Sequence, residues 1–374
     1  MSPLTAAPRE PRTRVPVISP SEALDLHRDC SLHELGRRAY AVTQALHPEP
    51  YRTYVVDRNI NYSNFCTAKC VFCNFKVDPG DVAGYVLSFE QIGRKIEELI
   101  EIEGTQILMQ GGLVPAEDLP FEWYLDLLRF IRRNYPTIHI HAFSPPEIFA
   151  FAQIHQMSIR DVLLRLQEAG LHTIPGGGAE ILSDRVRRKI GQGKTLTDEY
   201  LEVMRQAHGI GMRTSVTMMF GHIETLEERV QHLRLIRELQ EETGGFTAFI
   251  CWTFQPENTA LGRMRQLNPD GPRKLDGKHL VLAEATEYLR VLAISRLFLH
   301  NITNIQSSWV TQGPKVGQLA LFYGANDMGS VMMEENVVSA AGTTYRMSEA
   351  EIRRVIADAG WTPKRRNCYY QVIE

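Results

Sequence analysis

A chain of 374 residues can bury a large core, as one barrel or as two ordinary domains. With 44% hydrophobic and 23% charged residues and a net charge of -3, it has the composition of a globular protein and lacks the basic surface that phosphate backbones or acidic lipids attract. No apolar run approaches the ~20 residues that span a bilayer, so neither nucleic acid nor membrane is an expected partner.

The first twenty residues carry five prolines and three arginines around no apolar centre, and they read as a loose, disordered tail (1–20) rather than a secretory signal. The expected compartment is the reducing cytoplasm, where thiols bind metal more often than they form bridges. Two helices are expected within 21–50. From Arg52 onward, strand-like runs alternate with helical stretches. The runs are "TYVVDRNI", "TQILMQGG", "IHIHAFSP", "LHTIPGGG", "RTSVTMMFG", "GFTAFICWTF", "ITNIQSSW" and, more weakly, "ANDMGSV". Ser88 with Gln91 makes a capping box before Ile92, Ile96 and Leu99, and Thr225 with Glu228 makes another before Leu226, Val230, Leu233 and Ile236. Residues 278–301 read as one long apolar-faced helix, and a last helix is expected over 347–360.

Strand-then-helix units repeated in this way predict a (β/α)8 TIM-type barrel over 51–340, for which ~250 residues is typical, with a C-terminal helical extension over 341–374. A doubly wound open sheet has the same local pattern. Placement favours the barrel. The unusual residues fall just after strand runs, which in a barrel all ring one C-terminal mouth.

The stretch "NYSNFCTAKCVFCNF" (61–75) follows the first strand and places Cys66, Cys70 and Cys73 in a C-x3-C-x2-C pattern. Thiolates select soft metals, chiefly zinc, copper(I) and iron–sulfur clusters. Zinc asks for paired C-x2-C units or a histidine at ligand spacing, and the next histidine is the distant His139. A cubane 4Fe–4S cluster takes four thiolates, so three leave one iron open for chemistry. Zinc and simple packing remain the alternatives at this point.

With Phe72 in the aromatic position, C-x3-C-x-aromatic-C after a barrel's first strand resembles the radical S-adenosylmethionine (SAM) superfamily. The resemblance implies a 4Fe–4S cluster on the three cysteines and SAM on its open iron. Reductive cleavage of SAM would then give a 5′-deoxyadenosyl radical. It also implies SAM contacts from Phe72, from Gly111 and Gly112 of "QGG", where Leu113 replaces the family's glutamate, from Glu180 of "PGGGAE", and from Gly221 of "MFGHIET" through Glu224.

The runs "IHAFSPPEI", "GGFTAFICWTFQPENTALG", "NIQSSWVTQG" and "GANDMGSVMMEENVVSAAG" narrow the resemblance to the family of cyclic dehypoxanthinyl futalosine synthases of the futalosine route to menaquinone. The implied substrate is dehypoxanthine futalosine, with flavodoxin or ferredoxin as the kind of electron donor. The implied reaction is abstraction of the ribose C4′ hydrogen, addition to the benzoate ring and loss of an electron and a proton. An aminofutalosine synthase reaction and a non-catalytic iron–sulfur or zinc barrel are the competing readings. Under the cyclase reading, His141, alternating with His139 on the third strand, is the candidate base. Gln306, Ser307, Ser308 and Thr311 are candidate donors to the benzoate. Trp252, Phe254 and Trp309 are candidate walls, and Asn326, Asp327, Glu334 and Glu335 are candidate sugar contacts. Glu147 reads first as the capping carboxylate of "SPPE".

Overall fold

The computed structural model describes residues 17–264 and 275–374. The expected tail therefore lies outside the described residues up to position 16, and Pro20 already begins a helix.

The strands are β1 (Tyr51–Val55), β2 (Asp57–Asn61), β3 (Lys69–Cys70), β4 (Gln106–Gln110), β5 (His139–Ala142), β6 (Thr173–Ile174), β7 (Gly191–Gln192), β8 (Arg213–Phe220), β9 (Phe246–Thr253), β10 (Asn304–Gln306), β11 (Asp327–Ser330) and β12 (Thr362–Arg365). Ten of them form one parallel sheet in the order β12-β1-β11-β10-β9-β8-β6-β5-β4-β2. β1 and β2 are one strand broken at Val56. Its first half pairs with β11 and its second half with β4, so the sheet curls until its ends meet in a TIM-type ring. The open doubly wound alternative is excluded.

Strands in such a ring are covered on both faces, which explains the apolar runs. In β5, Ile140 and Ala142 are fully buried beneath the helices, whereas His139 and His141 face the lumen. The break at Val56 leaves the alternation of β2 intact. Asp57 contacts Ser330 and Gln106 inside, and Arg58 turns out to Glu334 (2.8 Å) and Glu98 (2.5 Å).

Capping boxes start the helices Phe89–Glu101, Pro145–Ile154 and Leu226–Thr243 where the sequence places them. The expected helix over 278–301 is shorter, Ala285–Phe298. The preceding segment is held extended instead, because the Val281 amide donates to the carbonyl of His222 and covers the turn after β8. Two N-terminal helices, Pro20–Asp29 and Leu32–Leu46, bury Ala23, Leu35, Ala39 and Val42, and Arg290 ties them to the barrel through the Cys30 carbonyl (2.7 Å).

The C-terminal segment does more than the helix Glu349–Asp358. After it, β12 pairs with β1 along the edge that β4 occupies higher up, and the chain then turns into the lumen. There Arg366 grips Asp327 of β11 through two bonds of 2.6 and 2.9 Å and lies 3.8 Å over the Tyr370 ring. Residues 366–370 thus form the barrel floor.

Candidate active site

The strand ends surround a cavity of about 440 Å³, lined mainly by apolar atoms. Cys66, Cys70, Cys73 and Phe72 border it on one side, Gly111, Gly112 and Glu180 beside them, and His141, Trp252, Phe254, Gln306, Ser307, Ser308, Trp309 and Thr311 deeper in. The structure therefore brings together the cysteine loop, the glycine turns and most of the candidate substrate contacts singled out from sequence.

The cysteine loop is held on three sides. β3 pairs antiparallel with β7, the Val71 amide donates to the Ile190 carbonyl (2.9 Å), and Thr67 donates to the Leu113 carbonyl. The Leu113 amide donates to Cys66 Sγ at 3.3 Å. A Cβ on Gly112 would stand 2.0 Å from the Phe65 carbonyl oxygen and one on Gly111 2.3 Å from the Tyr62 ring, so both glycines let the turn pack on the cysteine loop. Glu147 pins that turn. It accepts from the Gly111 amide (3.0 Å), the Tyr62 hydroxyl (2.7 Å) and Ser144 (2.6 and 2.7 Å), which is the structural role its capping position suggests.

Glu180 sits in the left-handed region at φ 42°. One carboxylate oxygen accepts from Lys194 Nζ at 2.7 Å; the other is buried with no hydrogen-bond partner among the described residues. Such an atom is expensive to leave unpaired and marks a place for a donor on a ligand. Burial alone would lower the lysine, but the Glu180 carboxylate holds it above its ordinary value, so the ammonium is kept. Arg187, donating to the carbonyls of Gly178, Ala179 and Thr195, fixes this turn.

Burial pushes the Cys70 thiol up to about 12, so only a bound cation would keep it as a thiolate. No group of three or more His, Cys, Asp or Glu among the described residues is gathered for a single ion. A cubane does not require that, since each thiolate takes a different iron. The donor set, the bond to Cys66 sulfur and the open Glu180 oxygen fit a cluster with SAM beside it.

Several expectations are corrected. Gly221 does not line the cavity. It takes φ 85°, a Cβ on it would strike Ala283 Cβ at 2.6 Å, and its amide, like that of His222, donates to the buried Glu224 (2.7 and 2.9 Å). That turn is self-contained, and its neighbour in the cavity is Met219. Asn326 is committed to Arg296 and the Ile305 amide, Asp327 to Arg366 and Thr53, and Glu334 to Arg58 and Lys95. Glu335 lines the cavity but spends its oxygens on the amides of residues 337–339. Sequence reasoning missed Lys194, Met219, Arg366, Cys368 and Tyr370, all of which line the cavity. A lysine just after the two-residue strand β7 and a C-terminal tail carry no signal of their own, because only the fold returns them to the mouth and the floor.

Comparison with known proteins agrees with this geometry. Residues 60–236 match the family described as the radical SAM superfamily, and residues 243–374 match the CofH/MqnC C-terminal region. The fold is shared with methylornithine synthase (PylB) at TM-score 0.70 and 17% identity, covering 93% of this chain and 94% of that one. It is also shared with the [FeFe]-hydrogenase maturase HydG at 0.68 and 15%, covering 95% and 74%. The chain belongs to the radical SAM superfamily of enzymes. More particularly, it is 44% identical to the cyclic dehypoxanthine futalosine synthase of Halalkalibacterium halodurans, covering 95% of this chain and 91% of that protein. It is 42% identical to the synthase of Streptomyces coelicolor, covering 95% and 85%. A 5-amino-6-(D-ribitylamino)uracil–L-tyrosine 4-hydroxyphenyl transferase of Methanosarcina mazei is 40% identical, covering 85% and 81%.

Proposed function

We propose that this chain is the cyclase that converts dehypoxanthine futalosine to its cyclic product in menaquinone biosynthesis, drawing electrons from a flavodoxin or ferredoxin in the cytoplasm. The observation that carries the reading is the pair of cyclic dehypoxanthine futalosine synthase relatives, which match over 95% of this chain, against 85% for the transferase. In this reading Cys66, Cys70 and Cys73 hold three irons of a 4Fe–4S cluster. Glu180 would accept from the amino group of SAM and Lys194 would donate to its carboxylate, while the carbonyls of Gly111 and Gly112 and the ring of Phe72 would border it. When bound, the two groups supply a 5′-deoxyadenosyl radical.

The chain's own task is positioning. An apolar cavity of about 440 Å³ suits a nucleoside-sized ligand, and with that ligand seated its apolar walls would keep water from a reactive carbon. Trp252 and Phe254 line the cavity and would wall an aryl ring. Ser308 and Thr311 share a hydrogen bond of 3.0 Å and can turn their hydroxyls to a carboxylate. Ser307, whose hydroxyl donates to the Gly317 carbonyl, offers an acceptor, and its amide is already spent on Asp327.

The test is product mass. Anaerobically reconstituted protein given dithionite, SAM and dehypoxanthine futalosine should yield 5′-deoxyadenosine and a substrate-derived product two hydrogens lighter. Turnover of an enolpyruvyl benzoate, or of tyrosine with ribitylaminouracil, in place of dehypoxanthine futalosine would refute the assignment. Absence of 5′-deoxyadenosine with every substrate would favour the non-catalytic barrel.

A further inference from the structure

The hydroxyl of Thr173 on β6 stands 2.7 Å from His141 Nδ1, 2.7 Å from His139 Nε2 and 3.4 Å from Cys368 Sγ. A hydroxyl has one proton and two lone pairs, so three partners use it fully. His141 lines the cavity, whereas His139 does not. His139 lies level with Gln106 and, through it, with Asp57, at the start of the strands. It is half-buried, stacks on His172 at 4.7 Å and meets the exposed Tyr369 edge-on at 5.2 Å. A row of exchangeable hydrogens therefore leads from the cavity to the N-terminal face, opposite the mouth where the cysteines sit.

We propose that His141, Thr173 and His139 form a proton relay that carries the proton of the final rearomatisation out of the cavity through the barrel floor. The inference rests on the cyclase reading. In the resting chain His141 donates its Nδ1–H to Thr173, Cys368 donates its S–H to the same oxygen, and Thr173 donates to His139 Nε2. His141 Nε2, the nitrogen not committed to Thr173, is then the acceptor. The ring C–H bond breaks, its electron pair restores the aromatic sextet, and an N–H forms at His141 Nε2. The Nδ1 proton passes to Thr173, the Thr173 proton to His139 Nε2, and the proton on His139 Nδ1 to water. The odd electron leaves separately to a one-electron acceptor of the iron–sulfur class.

This route answers a difficulty with His141 as a lone base. Burial and then the charge of Arg366 hold its pKa down at about 3, so a stored imidazolium is unfavourable. The relay changes its tautomer and never its charge. Water need not enter the mouth, where it would meet a radical.

Thr173→Val keeps the shape and removes the hydroxyl; Thr173→Ser keeps the hydroxyl. With substrate deuterated at C4′, Thr173→Val should still transfer deuterium to 5′-deoxyadenosine. Cyclised product per 5′-deoxyadenosine should fall at least about tenfold, a modest part of the ~10²–10⁴-fold that a lost acid–base group typically costs. Thr173→Ser should restore most of it. If Thr173→Val fails to fold, as judged by circular dichroism and iron content, His139→Gln at the floor should show the same split. A second readout needs no turnover. Nitrogen-15 spectra of histidine-labelled protein should show His141 as the Nδ1–H tautomer, assigned by its loss in His141→Gln and altered in Thr173→Val. Unchanged cyclised yield in Thr173→Val, or an Nε2–H resting tautomer, overturns the relay. No cyclised product from the unsubstituted enzyme overturns the cyclase reading itself.

Discussion

At the scale of single residues, the site divides into groups that would hold the cluster and groups that would hold its ligand, and each half has its own test. Alanine at Cys66, Cys70 or Cys73 should strip the visible absorbance and the full iron complement and abolish SAM cleavage, whereas Cys30→Ser, far from the loop, should keep both. Full iron with intact SAM cleavage in Cys70→Ala would refute the ligand assignment. Lys194 and Glu180 answer to binding. Removing one partner of a charge-assisted bond costs about 1.5–3 kcal/mol, so Lys194→Met should weaken SAM about tenfold or more in equilibrium dialysis of the reconstituted protein. An unchanged SAM affinity would make that lysine a purely structural partner of Glu180.

Among the elements, the C-terminal strand and the segment after it decide whether the barrel has a floor. Arg366 and Asp327 are both almost wholly buried, and the guanidinium is the bidentate partner of the carboxylate. Breaking a buried pair from one side leaves an uncompensated charge, which typically costs about 3–5 kcal/mol. Arg366→Met should lose stability on that order in urea denaturation, and Arg366→Met with Asp327→Asn should recover much of it. A double variant no more stable than the single one would show that Arg366 acts by packing on Tyr370 rather than by charge. The last helix expected over 347–360 appears as Glu349–Asp358, but β12 and the floor were not foreseen. "TPKR" has no strand pattern, and it becomes a strand because the exposed edge of β1 below β4 needs a partner.

For the molecule as a whole, burial of uncharged histidines couples folding to acid. His139, His141 and His232 are all held at about 3, chiefly by burial, whereas an unfolded histidine titrates near ~6.5. Below that value the unfolded chain takes up protons that the fold refuses. The stability these groups contribute is therefore full above pH ~6.5 and is lost as pH falls toward 3, at about 1.4 kcal/mol per pH unit for each group. Melting temperature should drop steadily from pH 7 to 5, and a flat profile would show that these rings are not buried in solution.

The alternation of strand runs with capped helices predicted the strand–helix units, because periodicity and capping are local properties, and the unusual residues just after the strand runs favoured a ring over an open sheet. The thiol spacing on the first loop likewise pointed to a soft-metal site and, with Phe72, carried the resemblance to the radical SAM superfamily, since three soft ligands within eight residues need no tertiary structure to be recognised. What the sequence could not assign was which polar groups are free to act. Gly221 and Asp327 look like contacts in a motif and prove to be spent on the fold's own turn and ion pair, while Lys194, Thr173 and Arg366 look ordinary and prove to line or support the cavity. The reason is physical. A hydrogen bond or ion pair between residues tens or hundreds of positions apart leaves no periodic trace in the chain, so only the closed barrel reveals which donors and acceptors remain for a ligand.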